Sequence, residues 1–229
     1  MDDRLAQLVL RYVAVRFPRA TGVVVAGSTA AGERTATSDV DVLVLLPVDA
    51  LVTRSSLART EVFEDEVVEA FAYTVPAFRD WAGRGFAEHR PVLARMLVDG
   101  EALRLDADAA DLRDWAAARL AAGPRISAHE LDLLRYAVTD LVDDLAAIAD
   151  PFEETVVRVV LVETLARFLL LAHGRWLGSG KWLVRRLRGW DEGVAADLAA
   201  AATDTSRALS AAERYLAPWG GRLQDGFER

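Results

Sequence analysis

Leu5, Leu8, Val9, Tyr12 and Val13 recur at three- and four-residue spacing, which predicts an amphipathic helix over residues 3–17. The rhythm then changes. Short apolar runs over 21–27 (Thr-Gly-Val-Val-Val-Ala-Gly) and 39–46 read as buried strands. Residues 59–74 read as two strands around a turn near Glu64 and Asp65. Pro76 suits the first turn of a helix, and Phe78, Trp81, Phe86, Leu93 and Met96 carry a helical pattern over 77–97. A turn at Asp99 and Gly100 leads into a short strand over 102–105. After that the pattern is helical throughout. Ser127 and Glu130 form a capping-box signature opening a helix to about residue 149, and Asp150-Pro151 separates it from the next. No internal repeat or low-complexity linker interrupts the chain. The expected architecture is α+β: a mixed-sheet domain over 1–105, followed by an antiparallel helical bundle over 106–229, with a cleft between them.

Length and composition permit this without selecting it. The chain has 229 residues, enough for one large domain or two small ones with real cores. It has no cysteine, so neither a disulfide framework nor a thiolate metal site exists. A formal charge of −8 argues against extensive contact with nucleic acid, whose phosphates need basic partners. The longest apolar stretch, from Val156 to Ala172, is broken by Arg158, Glu163 and Arg167 and reads as a buried core helix, not a membrane span. The N-terminal segment lacks a basic leader pattern and reads as an ordinary helix, which points to a cytoplasmic protein.

Chemistry concentrates where the strands meet their turns. Gly27 and Ser28 fall where the strand over 21–27 breaks into a turn and a short helix can begin, so backbone N–H groups there would face a phosphate. Asp39 and Asp41 stand two residues apart at the start of a strand and so project to one face, while Val40 and Val42 take the other. Two adjacent anions repel unless a cation neutralises them. Mg²⁺ suits carboxylate and phosphate oxygens. A third carboxylate would complete a two-metal site, and Glu69 supplies one on a strand face otherwise made of Val67, Phe71 and Tyr73. Burying that acid alone would be costly. The alternative is an edge strand with Glu69 in water, and Glu64 and Glu66 at the turn are poorer substitutes.

Gly27-Ser28, ten residues, Asp39-x-Asp41 and then Glu69 on a later strand together resemble the DNA polymerase beta-like nucleotidyltransferase superfamily. The chain is similar in particular to small bacterial members of the aminoglycoside and lincosamide type. The resemblance is specific over 21–75 and looser beyond. It implies that Gly27 and Ser28 hold a triphosphate, that Asp39, Asp41 and Glu69 bind Mg²⁺, two ions in all, and that an NTP is co-substrate. Some members carry Asp in place of the third acid.

Lys181 is the only lysine, the other 26 of the 27 basic residues being arginine. In so arginine-rich a chain a compact ammonium marks a distinct need, and the resemblance supports a lysine reaching the triphosphate from the helical half. The surrounding Gly178-Ser-Gly-Lys181 is not a P-loop: five residues, not four, separate Gly174 from Gly180, Trp182 replaces the Mg²⁺-binding hydroxyl, and a helix precedes it. His89, His129 and His173 lack zinc-site spacing. Arg167 and His173 loosely resemble the ribonuclease motif of HEPN helical domains, but Phe168 stands where a polar residue is expected, so this stretch reads as an amphipathic helix.

The expected activity is transfer of a nucleoside monophosphate, AMP first, from NTP to a hydroxyl of a small molecule, an antibiotic-like compound among the candidates, with release of pyrophosphate. Two other readings stand beside it: an antitoxin-like enzyme that AMPylates a protein partner, and a catalytically silent helical interaction module. The complete acidic set speaks against silence. The resemblance also allows a homodimer with a shared site.

Overall fold

The computed structural model describes residues 2–35, 37–51, 54–224 and 226–228. The chain forms two compact units, Met1–Ala122 and Gly123–Arg229. The first holds a mixed sheet of five strands: β1 (Gly22–Val25), β2 (Val40–Leu46), β3 (Ser56–Phe63), β4 (Glu66–Thr74) and β5 (Glu101–Leu105), in the order β3-β4-β2-β1-β5. β1 runs antiparallel to both β2 and β5, β2 lies parallel to β4, and β3 is antiparallel to β4.

The helix α1 (Asp3–Arg16) buries Leu5, Leu8, Val9, Tyr12 and Val13, the five positions its periodicity marks. They pack with Val40, Val42, Val44, Val68, Ala70 and Ala72, so α1 covers one face of the sheet. On β4 every second residue, Val68 to Thr74, is buried, while Glu69, Phe71 and Tyr73 on the alternate face are half-buried. Glu64 and Asp65 join β3 to β4 with φ of 47° and 67°, the paired left-handed geometry that matches strand twist in a two-residue hairpin. Arg11 on α1 donates to both carboxylate oxygens of Glu64, at 3.0 and 2.6 Å. The hairpin is thereby tied to the helix.

The apolar pattern over 77–97 resolves into α3 (Val75–Ala87) and α4 (Val92–Asp99), broken at His89 to Pro91. Thr74 caps α3 through Ala77 N, with proline in its first turn. The strands end at Leu105, where the pattern changes to helices. The compact unit runs on to Ala122 because α5 (Ala107–Ala121) packs on α3, α4 and β5.

The second unit comprises α6 (Ala128–Ala147), α7 (Pro151–Ala172), α8 (Lys181–Trp190), α9 (Glu192–Ala201) and α10 (Thr205–Leu216), then a 3-10 turn at Ala217–Trp219. α6 begins with the full capping box of Ser127 and Glu130. α7 packs on α6, α8, α9 and α10, and its second half, Leu165 to Leu171, supplies much of the core. Its first half corrects the expectation of a buried helix: Val156, Val159 and Val160 are 47, 50 and 42% exposed, and Phe152 is 76% exposed. The helix is apolar around most of its circumference, so its sequence carries little directional signal for the buried face. No helix among the described residues is long and apolar enough to cross a membrane.

Candidate functional site

Three backbone elements bring the acids together. β1 ends at Val25, and the chain turns into the four-residue helix α2 (Gly27–Ala30). Ala26 N donates to Asp41 O at 2.8 Å, which fastens this turn to the start of β2. Gly27 adopts φ +64°, a conformation that favours glycine. A Cβ there would lie 1.8 Å from Asp41 Oδ2 and 2.8 Å from its Cγ. The absence of a side chain at Gly27 is what lets the Asp41 carboxylate sit against the turn.

The parallel register of β2 and β4 places Glu69 directly opposite Asp41. Asp39, just before β2, faces the same way. One carboxylate oxygen from each of Asp39, Asp41 and Glu69 lies within 4.8 Å of the others, and all three residues are half-buried. Glu64 and Glu66 are engaged elsewhere, Glu64 with Arg11 and Glu66 with Arg34.

Electrostatics follow from that crowding. Burial raises the Glu69 carboxyl above the ordinary carboxylate range, and the charge of Asp39 and a hydrogen bond with Asp39 raise it further. A hard divalent cation between these carboxylates would relieve the same repulsion. The donor set, three carboxylates on one side of a sheet, has the hard oxygen character that Mg²⁺ takes.

Ser28 is buried at 5% exposure in α2, and its carbonyl accepts from Glu33 N at 2.9 Å. Thus Gly27, Asp39, Asp41 and Glu69 are neighbours, with Ser28 beside Gly27 in the chain. Lys181 belongs to the second unit, exposed at the first position of α8.

Sequence reading missed two features of this region. Arg34 bonds Glu66 and donates to Ser38 O at 3.3 Å, clipping the loop before Asp39 to the start of β4. Such a pairing joins residues 32 positions apart and leaves no local signal. Thr29 is 6% exposed, and its Oγ1 finds no hydrogen-bond partner among the described residues. A hydroxyl directly after a Gly-Ser turn that ends a buried strand was the available cue.

The mixed sheet sets three carboxylates, a group that could hold a metal ion, beside a glycine turn. The family model of the nucleotidyltransferase domain matches residues 7–81, a span that contains Gly27, Ser28, Asp39, Asp41 and Glu69. Residues 7–81 are thus similar to a nucleotidyltransferase domain, a match that supports a transferase. Among solved structures it is similar to a nucleotidyltransferase-like protein from Exiguobacterium sibiricum 255-15, at 12% identity and a TM-score of 0.49, over 93% of this chain and 75% of that one. No curated protein sequence matches the chain.

Proposed function

We propose that the protein transfers a nucleoside monophosphate, AMP in the first instance, from an NTP to a hydroxyl of a small molecule, releasing pyrophosphate. The observation that carries this reading is the convergence of Asp39, Asp41 and Glu69 to within 4.8 Å, against Gly27. These three carboxylates would hold Mg²⁺, two ions in the proposal, which when bound supplies charge neutralisation at the phosphates and at the departing pyrophosphate. A cytoplasmic setting, where NTP and Mg²⁺ are both abundant, belongs to the same proposal.

Each residue then has a task. Gly27 keeps the space in which the Asp41 carboxylate sits, and the opening N–H groups of the turn at Gly27 and Ser28 offer donors to the triphosphate. The acceptor oxygen attacks the α-phosphorus in line, the bond from that phosphorus to the bridging oxygen breaks, and pyrophosphate departs. Glu69, opposite Asp41 across the sheet, is assigned either to position the second ion or to take the proton of the attacking hydroxyl. Most of the acceleration comes from holding the reactants in line. Lys181 is proposed as the cation for the triphosphate. At the first position of α8 its charge opposes the helix dipole, an arrangement that local stability does not favour.

The test is pyrophosphate release. The protein is incubated with each NTP, Mg²⁺ and a panel of hydroxylated small molecules, with and without a chelator. Chelator-sensitive release that depends on one acceptor supports the proposal. Label from α-phosphate-labelled ATP appearing on a copurifying protein would shift the acceptor to a protein hydroxyl. Absence of both nucleotide binding and release across the panel would refute the proposed transfer.

A further inference from the structure

A cavity of about 300 Å³ lies wholly within the second unit, and none of the residues assigned to nucleotidyl transfer lines it. Its walls come from four places in the chain. Leu169 and His173 end α7, Trp190 closes α8, Asp191 caps α9, and Tyr215 and Trp219 come from α10 and the 3-10 turn after it.

The polar groups in this cavity share one character. His173 Nδ1 lies 2.8 Å from Leu169 O. A carbonyl only accepts, so Nδ1 carries the hydrogen, and in the neutral ring Nε2 is left as an acceptor. The imidazole stands 4.5 Å from the Trp190 ring and meets Trp219 edge-on at 5.7 Å. Asp191 accepts from Val194 N at 3.0 Å through Oδ1, which leaves a carboxylate with acceptor capacity to spare. The Tyr215 hydroxyl donates to Asp197 at 2.7 Å and its ring carries Arg214, so Tyr215 serves as wall. Among the described residues, neither lysine nor arginine lines the cavity.

Two indoles, an imidazole acceptor and a carboxylate on otherwise apolar walls favour a positive head on an apolar body. Indole faces attract cations through their quadrupole, and pockets of this kind use a few polar groups to orient a mostly apolar ligand. An anion would meet no lysine or arginine among the described lining residues. We propose that this cavity binds a small alkylammonium ligand, its ammonium group donating to His173 Nε2 and Asp191 and lying near Trp190 and Trp219.

Three probes of nearly the same shape separate charge from apolar fit: 3-methylbutylammonium, 3-methylbutan-1-ol and 3-methylbutanoate. Binding to the full chain is followed through the indole N–H signals of Trp190 and Trp219 in ¹H–¹⁵N spectra. The ammonium is expected to bind on the order of tenfold more tightly than the alcohol, and the carboxylate more weakly than either. Asp191→Asn retains a capping side chain, so folding should persist, while affinity for the ammonium falls roughly two- to fivefold, the range for an exposed charge partner. Trp190→Leu, checked for folding by its melting transition, should weaken the ammonium more than the alcohol. Equal affinity for ammonium and alcohol would overturn the proposal, as would indole signals that stay still up to tens of millimolar ammonium. Ammonium affinity unchanged in both Asp191→Asn and a folded Trp190→Leu would overturn it too.

Discussion

Gly27→Ala tests whether the turn and the acidic cluster work as one object. A Cβ at Gly27 would stand 1.8 Å from Asp41 Oδ2, whereas real Cβ contacts essentially never fall under 3.0 Å. The carboxylate, or the turn, must therefore move by at least about 1.2 Å. The substitution also places alanine at φ +64°, which costs about 1 kcal/mol in the left-handed region. Gly32→Ala supplies the control. Gly32 has φ +71°, and a side-chain carbon there would meet nothing within 4 Å, so the substitution carries the backbone penalty alone. Gly32→Ala should lose about 1 kcal/mol in urea unfolding, and Gly27→Ala more than that, because it adds the clash with Asp41. Only Gly27→Ala should lose turnover, by roughly 10²-fold, the scale of a 1 Å misplacement of a reacting group. The assay is chelator-sensitive pyrophosphate release, with Mn²⁺ binding as a readout independent of the acceptor. Near-normal release and Mn²⁺ affinity in Gly27→Ala would refute the coupling. Equal losses of release in both variants would assign the effect to backbone strain in the turn instead.

Asp41→Asn keeps volume and removes a charge, so pyrophosphate release should fall roughly 10²- to 10³-fold while the melting temperature of the metal-free protein holds or rises through lost repulsion. Glu69→Gln should lower turnover far more than NTP affinity if Glu69 takes the proton, and lower both alike if it only ligates; titration calorimetry beside steady-state rates decides between them. Lys181→Ala should weaken NTP binding and rate together, with little recovery in Lys181→Arg because a planar guanidinium replaces a point charge; wild-type behaviour in both variants would remove Lys181 from the site. Tyr12, whose hydroxyl donates to Glu61 at 3.1 Å, is pushed up to about 12 by burial first and by that bond second. Its neutral form is favoured in the folded state, so its share of stability is intact below pH 10 and is lost as pH rises from 10 to 12. Tyr12→Phe should cost about 1 kcal/mol at pH 7 and flatten the fall in unfolding free energy across that window, measured as the difference between the two proteins.

What could be read from sequence was whatever is written in local spacing. The buried stripe of α1 and the common face of Asp39 and Asp41 depend on the periods of helix and strand, which local spacing carries. The turn at Glu64 and Asp65 also followed from its place between two strand patterns. The Arg34–Glu66 clip and the packing of α5 with the first unit depend on which elements meet, and that information is spread over the chain. In α7, Val156, Val159 and Val160 are as apolar as the leucines that follow them. Only the neighbours decide which of these residues meet solvent.

The position of Glu69 joins both kinds of information. Period two puts it on a face with Phe71 and Tyr73, but its neighbour Asp41 is set by the parallel pairing of β2 and β4. A slip of one residue would turn Glu69 toward α1 and bring Val68 to the acidic face. That slip is opposed by Val68, Ala70 and Ala72, all 0% exposed against the residues of α1 and β2. Apolar burial on one face of the sheet thus holds three carboxylates together on the other, against their mutual repulsion. The cluster draws on the core for its geometry.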